Sequence, residues 1–154
     1  MAQKGLAPKI NATAEALATS SMWRSSHNKR RCIIPVDNFF EWQPANAGNP
    51  KHPSAIAMAD REPFGLAGIW TAYERAPGQW QHNFAIITCP ANELVSKIHH
   101  RTPAILAQAP YERWLACIKP DPHDLLTPFP SDLMPAHRKT LCVSDAAASP
   151  VRGL

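Results

Sequence analysis

At 154 residues the chain suits one domain with a real core, and 18% charged residues with a net charge of +4 give only weak support for a polyanionic partner. Sixteen prolines, about twice the usual share, exclude a protein of long helices and favour short strands, turns and extended connections. No apolar run approaches the length of a membrane span and residues 1–10 lack the apolar centre of a signal peptide, so a cytoplasmic protein with no membrane partner is expected.

In chain order, Met1 to Lys9 reads as an extended basic arm, and the Ala-rich half of Ile10 to Leu17 suits one or two helical turns. Thr19 to Asn28 is polar and reads as a loop carrying Trp23 and Arg24. The basic cluster Lys29-Arg30-Arg31 leads into two runs of β-branched and aromatic residues, Cys32 to Val36 and Phe39 to Trp42. The turn residues Asp37-Asn38 between them predict two short strands. Gln43 to Pro53 is a loop by its Pro, Asn and Gly content. Ser54 to Ala59, Phe64 to Thr71 and Phe84 to Cys89 are predicted strands, with turns at Asp60 to Pro63 and Ala76 to Gln79. Pro90 with an early Glu93 predicts a helix to about Ile98, and Pro110 to Ile118 a second helix with Trp114 and Leu115 facing inward. Beyond Lys119 only Lys139 to Ser144 reads as a strand, and residues 146–154 form a frayed tail to a domain spanning 1–145. The fold class is α+β, mostly β, with short antiparallel strands and small peripheral helices.

Three stretches are costly as mere scaffold. Asn11 follows an apolar Ile10; a buried Asn there holds a substrate carbonyl or hydroxyl, whereas the plain alternative is a turn or helix-cap Asn. Glu41 lies between Phe40 and Trp42. Either desolvation raises its proton affinity and suits it to acid/base chemistry, or strand alternation turns the aromatics inward and Glu41 to water. His99-His100-Arg101 at a helix end combines proton transfer with an anion-binding guanidinium, or is simply a solvated helix terminus. Adjacent histidines converge poorly on one ion and no third ligand accompanies them, so no metal and no cofactor are expected. The four cysteines lack C-x-x-C spacing, and Cys32, Cys89 and Cys117 read as buried free thiols. No nucleophile stands in a recognisable setting.

Four motifs nevertheless occur in a telling order: Ile10-Asn11-Ala12-Thr13-Ala14-Glu15; Arg30-Arg31-Cys32-Ile33-Ile34-Pro35 with Phe39-Phe40-Glu41-Trp42; Ala67-Gly68-Ile69-Trp70; and Ile98-His99-His100-Arg101-Thr102-Pro103. From about Ile10 to Trp114 the chain resembles SRAP domains (SOS response-associated peptidases), the family of abasic-site processing proteins. The resemblance implies a compact antiparallel barrel-type core, a monomer that binds single-stranded DNA with abasic sites, in the bacterial cytoplasm at damaged nucleoid DNA. In that family a Cys directly after the initiator Met supplies an α-amine and a thiol. They condense with the ring-opened aldehyde of the abasic site into a thiazolidine crosslink, and members also remove their own leader. Carried over, Asn11 orients the N-terminal residue and the sugar, Glu41 handles protons during Schiff-base formation, and His99 assists ring opening and crosslink reversal. Arg101 contacts a DNA phosphate, Arg24 joins it as a DNA-binding cation, and Trp42 stacks on a base.

The chain departs from the pattern in places that matter. Ala2 stands where the family has Cys, and ten residues precede Asn11 where the family has several strands. The resemblance therefore implies a partial domain lacking N-terminal strands and unable to crosslink, since an internal Cys has no free α-amine. Thr13 stands in place of a usual Arg, His100 where Asp is common and Thr102 where Met is common. Whether such a chain is an enzyme of the peptidase, hydrolase or lyase kind is open. The alternatives are a noncatalytic single-stranded-DNA binding remnant and a nonfunctional fragment.

Overall fold

The computed structural model describes residues 9–42, 53–116, 121–134 and the backbone of 136–137. In chain order its elements are β1 (Asn11–Thr13), α1 (Arg24–Lys29), β2 (Arg31–Val36), β3 (Asn38–Trp42), β4 (Pro53–Ala57), β5 (Phe64–Ala76), β6 (Gln79–Pro90), β7 (Arg101–Pro103), β8 (Ile105–Leu106), α2 (Tyr111–Leu115) and β9 (Ala136–His137), with short 3-10 turns between them. The mostly-β expectation holds among the described residues, which include two short α-helices. One sheet has the order β1-β6-β5-β2, takes in β7 and β8, and curls into a half barrel; the second has the order β3-β4-β9. One described pairing, β1 with β6, is parallel.

The β5–β6 hairpin organises the larger sheet. At its closed end Pro77 and Gly78 make the turn, with Gly78 at φ +77°, and the Gly78 N–H donates to Glu74 Oε1 at 2.7 Å. At the open end the two strands part, and β7–β8 fills the gap. β7 pairs with β6, β8 pairs with β5, and Ala104 donates to Ile87 O while accepting from Ala67 N, both at 2.8 Å. Residues Phe64 to Ile69 of β5 are all buried, because both faces of this sheet are covered. One face packs Ala67, Ile69, Ile87, Cys89, Leu17 and Trp114; the other packs Phe64 and Leu66 with Ile56 of the second sheet, Val95 and Met134.

Several local predictions give way to tertiary contacts. The polar run predicted as a loop contains α1, which forms because Trp23, Ser26 and His27 line up on one side and settle against the Trp114 core. Strands β5 and β6 run well past Thr71 and begin well before Phe84. Their outer ends are exposed on both faces, so burial left no pattern there; cross-strand pairing holds them, including Tyr73 Oη to Gln81 Oε1 at 2.8 Å. No α-helix follows Pro90, since β6 continues through it to pair with Arg101; a 3-10 turn at Val95–Lys97 remains, capped by Asn92 Oδ1 at 2.9 Å from the Val95 N–H. Helix α2 is shorter than predicted, and it buries Trp114 completely while Leu115 faces outward. Cys89 is buried and Cys32 half-buried, both free thiols. The arm at 1–8, the loop at 43–52, Cys117, the strand at 139–144 and the tail at 146–154 lie outside the described residues. No helix among the described residues is long and apolar enough to cross a membrane.

Candidate functional site

Burial along β3 alternates, and its phase decides the environment of Glu41. Phe40 and Trp42 face outward, 47% and 49% exposed, while Phe39 and Glu41 face inward. Phe39 packs on the core shared by the two sheets and meets Phe64 edge-on, ring centroids 6.5 Å apart. Glu41 follows on the same face, opposite the buried Ser54 of β4. Desolvation there raises its carboxyl pKa above the ordinary value. The charges of His99 and His100 and the backbone N–H of Trp42 act in the opposite direction without cancelling it. Of the two sequence readings of Glu41, the inward one is realised.

His99 and His100 follow the 3-10 turn, with His99 N–H bonded to Val95 O at 2.8 Å. Their rings lie 4.5 Å apart between centroids and tilted by 34°. Nδ1 of His99 sits 3.1 Å from the backbone N of Arg101 and 3.0 Å from its carbonyl O. The backbone of one residue thus offers that nitrogen both a donor and an acceptor, so either neutral tautomer is satisfied and Nε2 is the ring nitrogen turned to a ligand. Arg101 occupies its guanidinium within the protein. It donates to Glu15 Oε1 and Oε2 at 2.9 and 3.0 Å and to Thr88 O at 2.5 Å. The pair holds the Glu15 carboxyl below the ordinary range, chiefly through the Arg101 hydrogen bonds.

The remaining candidates divide between faces. Asn11 pairs with Ile86 in the parallel β1–β6 register, and side chains at paired positions share a face. Ile86 packs on the core between the sheets, so Asn11 stands on the side of the larger sheet toward which Glu41 points. Asn11 itself is exposed rather than buried, because β1 is an edge strand whose inward residue is Ala12. Trp42 lies on the outward side of β3. Arg24 is exposed on α1, which packs on β2 and β5 with the Trp114 core, the opposite face of the sheet. The fold therefore sets Asn11 on the side of the larger sheet toward which Glu41 points, brings His99 near enough to Glu41 to act on its carboxyl, and leaves Arg24 on the other side. Glu15 carried no assigned role in the sequence reading; it lies in the 3-10 turn Ala14–Ala16 that directly follows the strand carrying Asn11.

Beyond Asn11 the same face opens into an apolar groove of about 420 Å³, bounded by Cys32, Ile34 and Pro35 of β2, Trp70 of β5, and His82 and Phe84 of β6. Among the described residues no three His, Cys, Asp or Glu side chains cluster as metal ligands do.

Residues 2–146 match the family model for SOS response associated peptidase (SRAP). Abasic site processing protein YobE of Bacillus subtilis (strain 168) is 33% identical over 138 residues, covering 88% of this chain and 63% of the relative. Abasic site processing protein YedK of Escherichia coli (strain K12) is 35% identical over 109 residues, 70% of this chain and 47% of the relative. The crystal structure of a protein from Bacteroides thetaiotaomicron superposes with a TM-score of 0.75 at 34% identity, over 82% of this chain and 56% of that one. The chain spans about three fifths of the length of the first of these curated relatives.

Proposed function

Because the chain belongs to the SRAP family, we propose that its inter-sheet site binds single-stranded DNA at abasic lesions and moves protons there. The observation that carries this reading is Glu41. It is a carboxyl turned inward between two outward aromatics, with its pKa raised by burial and two imidazoles near enough to oppose the rise. Such a group holds its proton to a higher pH than a solvated Glu does, the direction that suits an acid/base role. In this reading Glu41 and His99 Nε2 act as the acid/base pair on an opened sugar, and Asn11 orients that sugar. Arg101 meets a backbone phosphate, and Trp42 stacks on an unpaired base. Arg24, on the far face, lends charge to a longer strand wrapping the domain.

Covalent capture as a thiazolidine requires an α-amine and a thiol on one residue, and Ala2 follows Met1 in this sequence. A polypeptide of this sequence is therefore expected to bind and not to crosslink. The exposed Phe40 and Trp42 favour the noncatalytic version as a second reading, since base stacking needs no proton transfer.

The test is fluorescence anisotropy on single-stranded oligonucleotides with and without one abasic site, followed by a denaturing gel. Preferential, salt-sensitive binding of the abasic strand with no covalent band is expected. Equal affinity for both strands removes the lesion-specific reading, and a covalent band contradicts the role given to Ala2. Strand scission at the lesion that Glu41→Gln abolishes separates the catalytic reading from the binding one.

A further inference from the structure

Glu15 and Arg101 come from two separate sequence motifs, and their pairing is lopsided. Arg101 is 20% exposed and has a second anchor in the Thr88 carbonyl, while Glu15 is 57% exposed. Apart from Arg101, the favourable partners of the Glu15 carboxylate are its own backbone N–H and the charge of His123. If the Glu15 side chain swings into solvent, Arg101 keeps its bond to Thr88 O. The two N–H groups that Glu15 had filled then stand open beside the strand that carries Asn11. Phosphate offers two oxygens that fit the guanidinium fork as a carboxylate does.

We propose that Glu15 is an internal stand-in for phosphate, filling the Arg101 fork in the free protein and yielding it to a backbone phosphate of the bound strand. The inference rests on the reading of Arg101 as a phosphate contact. An exposed ion pair of this kind contributes little, so displacing it is cheap, yet its presence sets a toll on every anion that reaches the fork. It also tunes selectivity: a ligand must bring a phosphate, and not merely a base or a sugar, to recover the lost pair. Thr88 keeps the guanidinium aimed while the partner changes.

Glu15→Gln retains the size of the side chain and removes its charge. Its affinity for a single-stranded oligonucleotide is expected to rise about two- to fivefold over wild type at low salt, the gain shrinking as salt screens it. The gain should vanish when Arg101→Ala is combined with it. Equal or weaker binding by Glu15→Gln overturns the proposal and leaves the DNA-binding reading standing. A gain of the same size in the Arg101→Ala background is general charge removal, and overturns it too. If neither wild type nor variant binds DNA, the wider reading fails, and a titration with inorganic phosphate followed at the Arg101 Nε–H resonance decides the exchange by itself. Movement at several-fold lower phosphate in Glu15→Gln supports it; coincident titrations overturn it.

Discussion

Cys32 and Asn11 stand at the two ends of one row across the larger sheet: Cys32 pairs with Gly68, Gly68 with Ile86, and Ile86 with Asn11. The row crosses four strands on a single face and links the apolar groove to the candidate site. The missing side chain at Gly68 keeps the row low. A Cβ there would press into Ile34 Cδ1 and lie 3.0 Å from Cys32 Sγ and 3.3 Å from the Ala85 carbonyl oxygen. Gly68→Ala is therefore expected to cost about 1–3 kcal/mol through crowding, read as a lower urea midpoint at unchanged slope. An unchanged midpoint would mean that Ile34 and Cys32 give way freely.

Glu41→Gln should separate function from stability. The folded-state pKa of Glu41 lies above its unfolded value, so the native state holds the proton more tightly than the unfolded chain does. The resulting stabilisation is complete below the unfolded pKa, near the ordinary 4.5, and fades as pH rises through the folded value. Above the folded pKa the wild type bears a poorly solvated carboxylate that Gln does not. The variant should show a flatter stability profile as pH rises above about 4.5, and melt at or above the wild-type temperature once the carboxyl is ionised, while losing any lesion-dependent chemistry. A variant less stable at pH 7 would place the carboxylate in a favourable native contact instead.

Much of this was legible beforehand, and the limits have physical causes. Strands β2 and β3 could be read because two runs of β-branched and aromatic residues meet at the turn signal Asp37-Asn38, and the core of β5 because Phe64 to Thr71 is an apolar run. The phase of Glu41 could not, since alternation gives two equivalent faces until something packs on one; Phe64 and Ile56 choose Phe39 and so bring Glu41 inward. Helix α1 was hidden because its inward residues are Ser26 and His27, whose burial depends on Trp114 far along the chain. Pro90 imitates a helix start, and only pairing of β6 with β7 reveals it as strand. The motif order nominated Asn11, Glu41, His99 and Arg101 as candidates, but nothing local says that Arg101 is already held by Glu15.

Trp114 is the keystone of the core on the far face. It is fully buried, its Nε1–H donates to Cys32 O at 2.9 Å, and its own carbonyl accepts from Arg31 Nε at 2.6 Å. The Arg31 guanidinium also lies 5.5 Å from the centre of the indole ring. Trp114→Ala removes the ring and leaves the Cys32 carbonyl and the Arg31 charge without its support. A loss of about 3–5 kcal/mol is expected, enough to unfold many domains of this size, and Trp114→Phe should recover part of it. Thermal melts of both variants check the order.

His27 gives the fold an acid limit. It is buried against Trp114, ring centroids 6.2 Å apart, and neither ring nitrogen has a hydrogen-bond partner among the described residues. Asp121 Oδ1 lies 3.5 Å from Nε2 and favours the charged form. Burial is the larger influence and pushes the imidazole pKa below its ordinary 6.5, with Arg31 and His123 acting in the same direction. A histidine whose folded pKa is depressed contributes stability that is fully present above its unfolded pKa. That stability is lost as pH falls from about 6.5 through the folded value, because the unfolded chain takes up the proton first. The midpoint of thermal unfolding should therefore fall between pH 7 and pH 5. His27→Gln cannot be protonated and should flatten this segment of the profile, even where it lowers stability at pH 7 by losing the contact with Trp114. Asp121→Asn should steepen the decline, since it removes a carboxylate that eases protonation. An identical slope in wild type and His27→Gln would assign the acid sensitivity to another group.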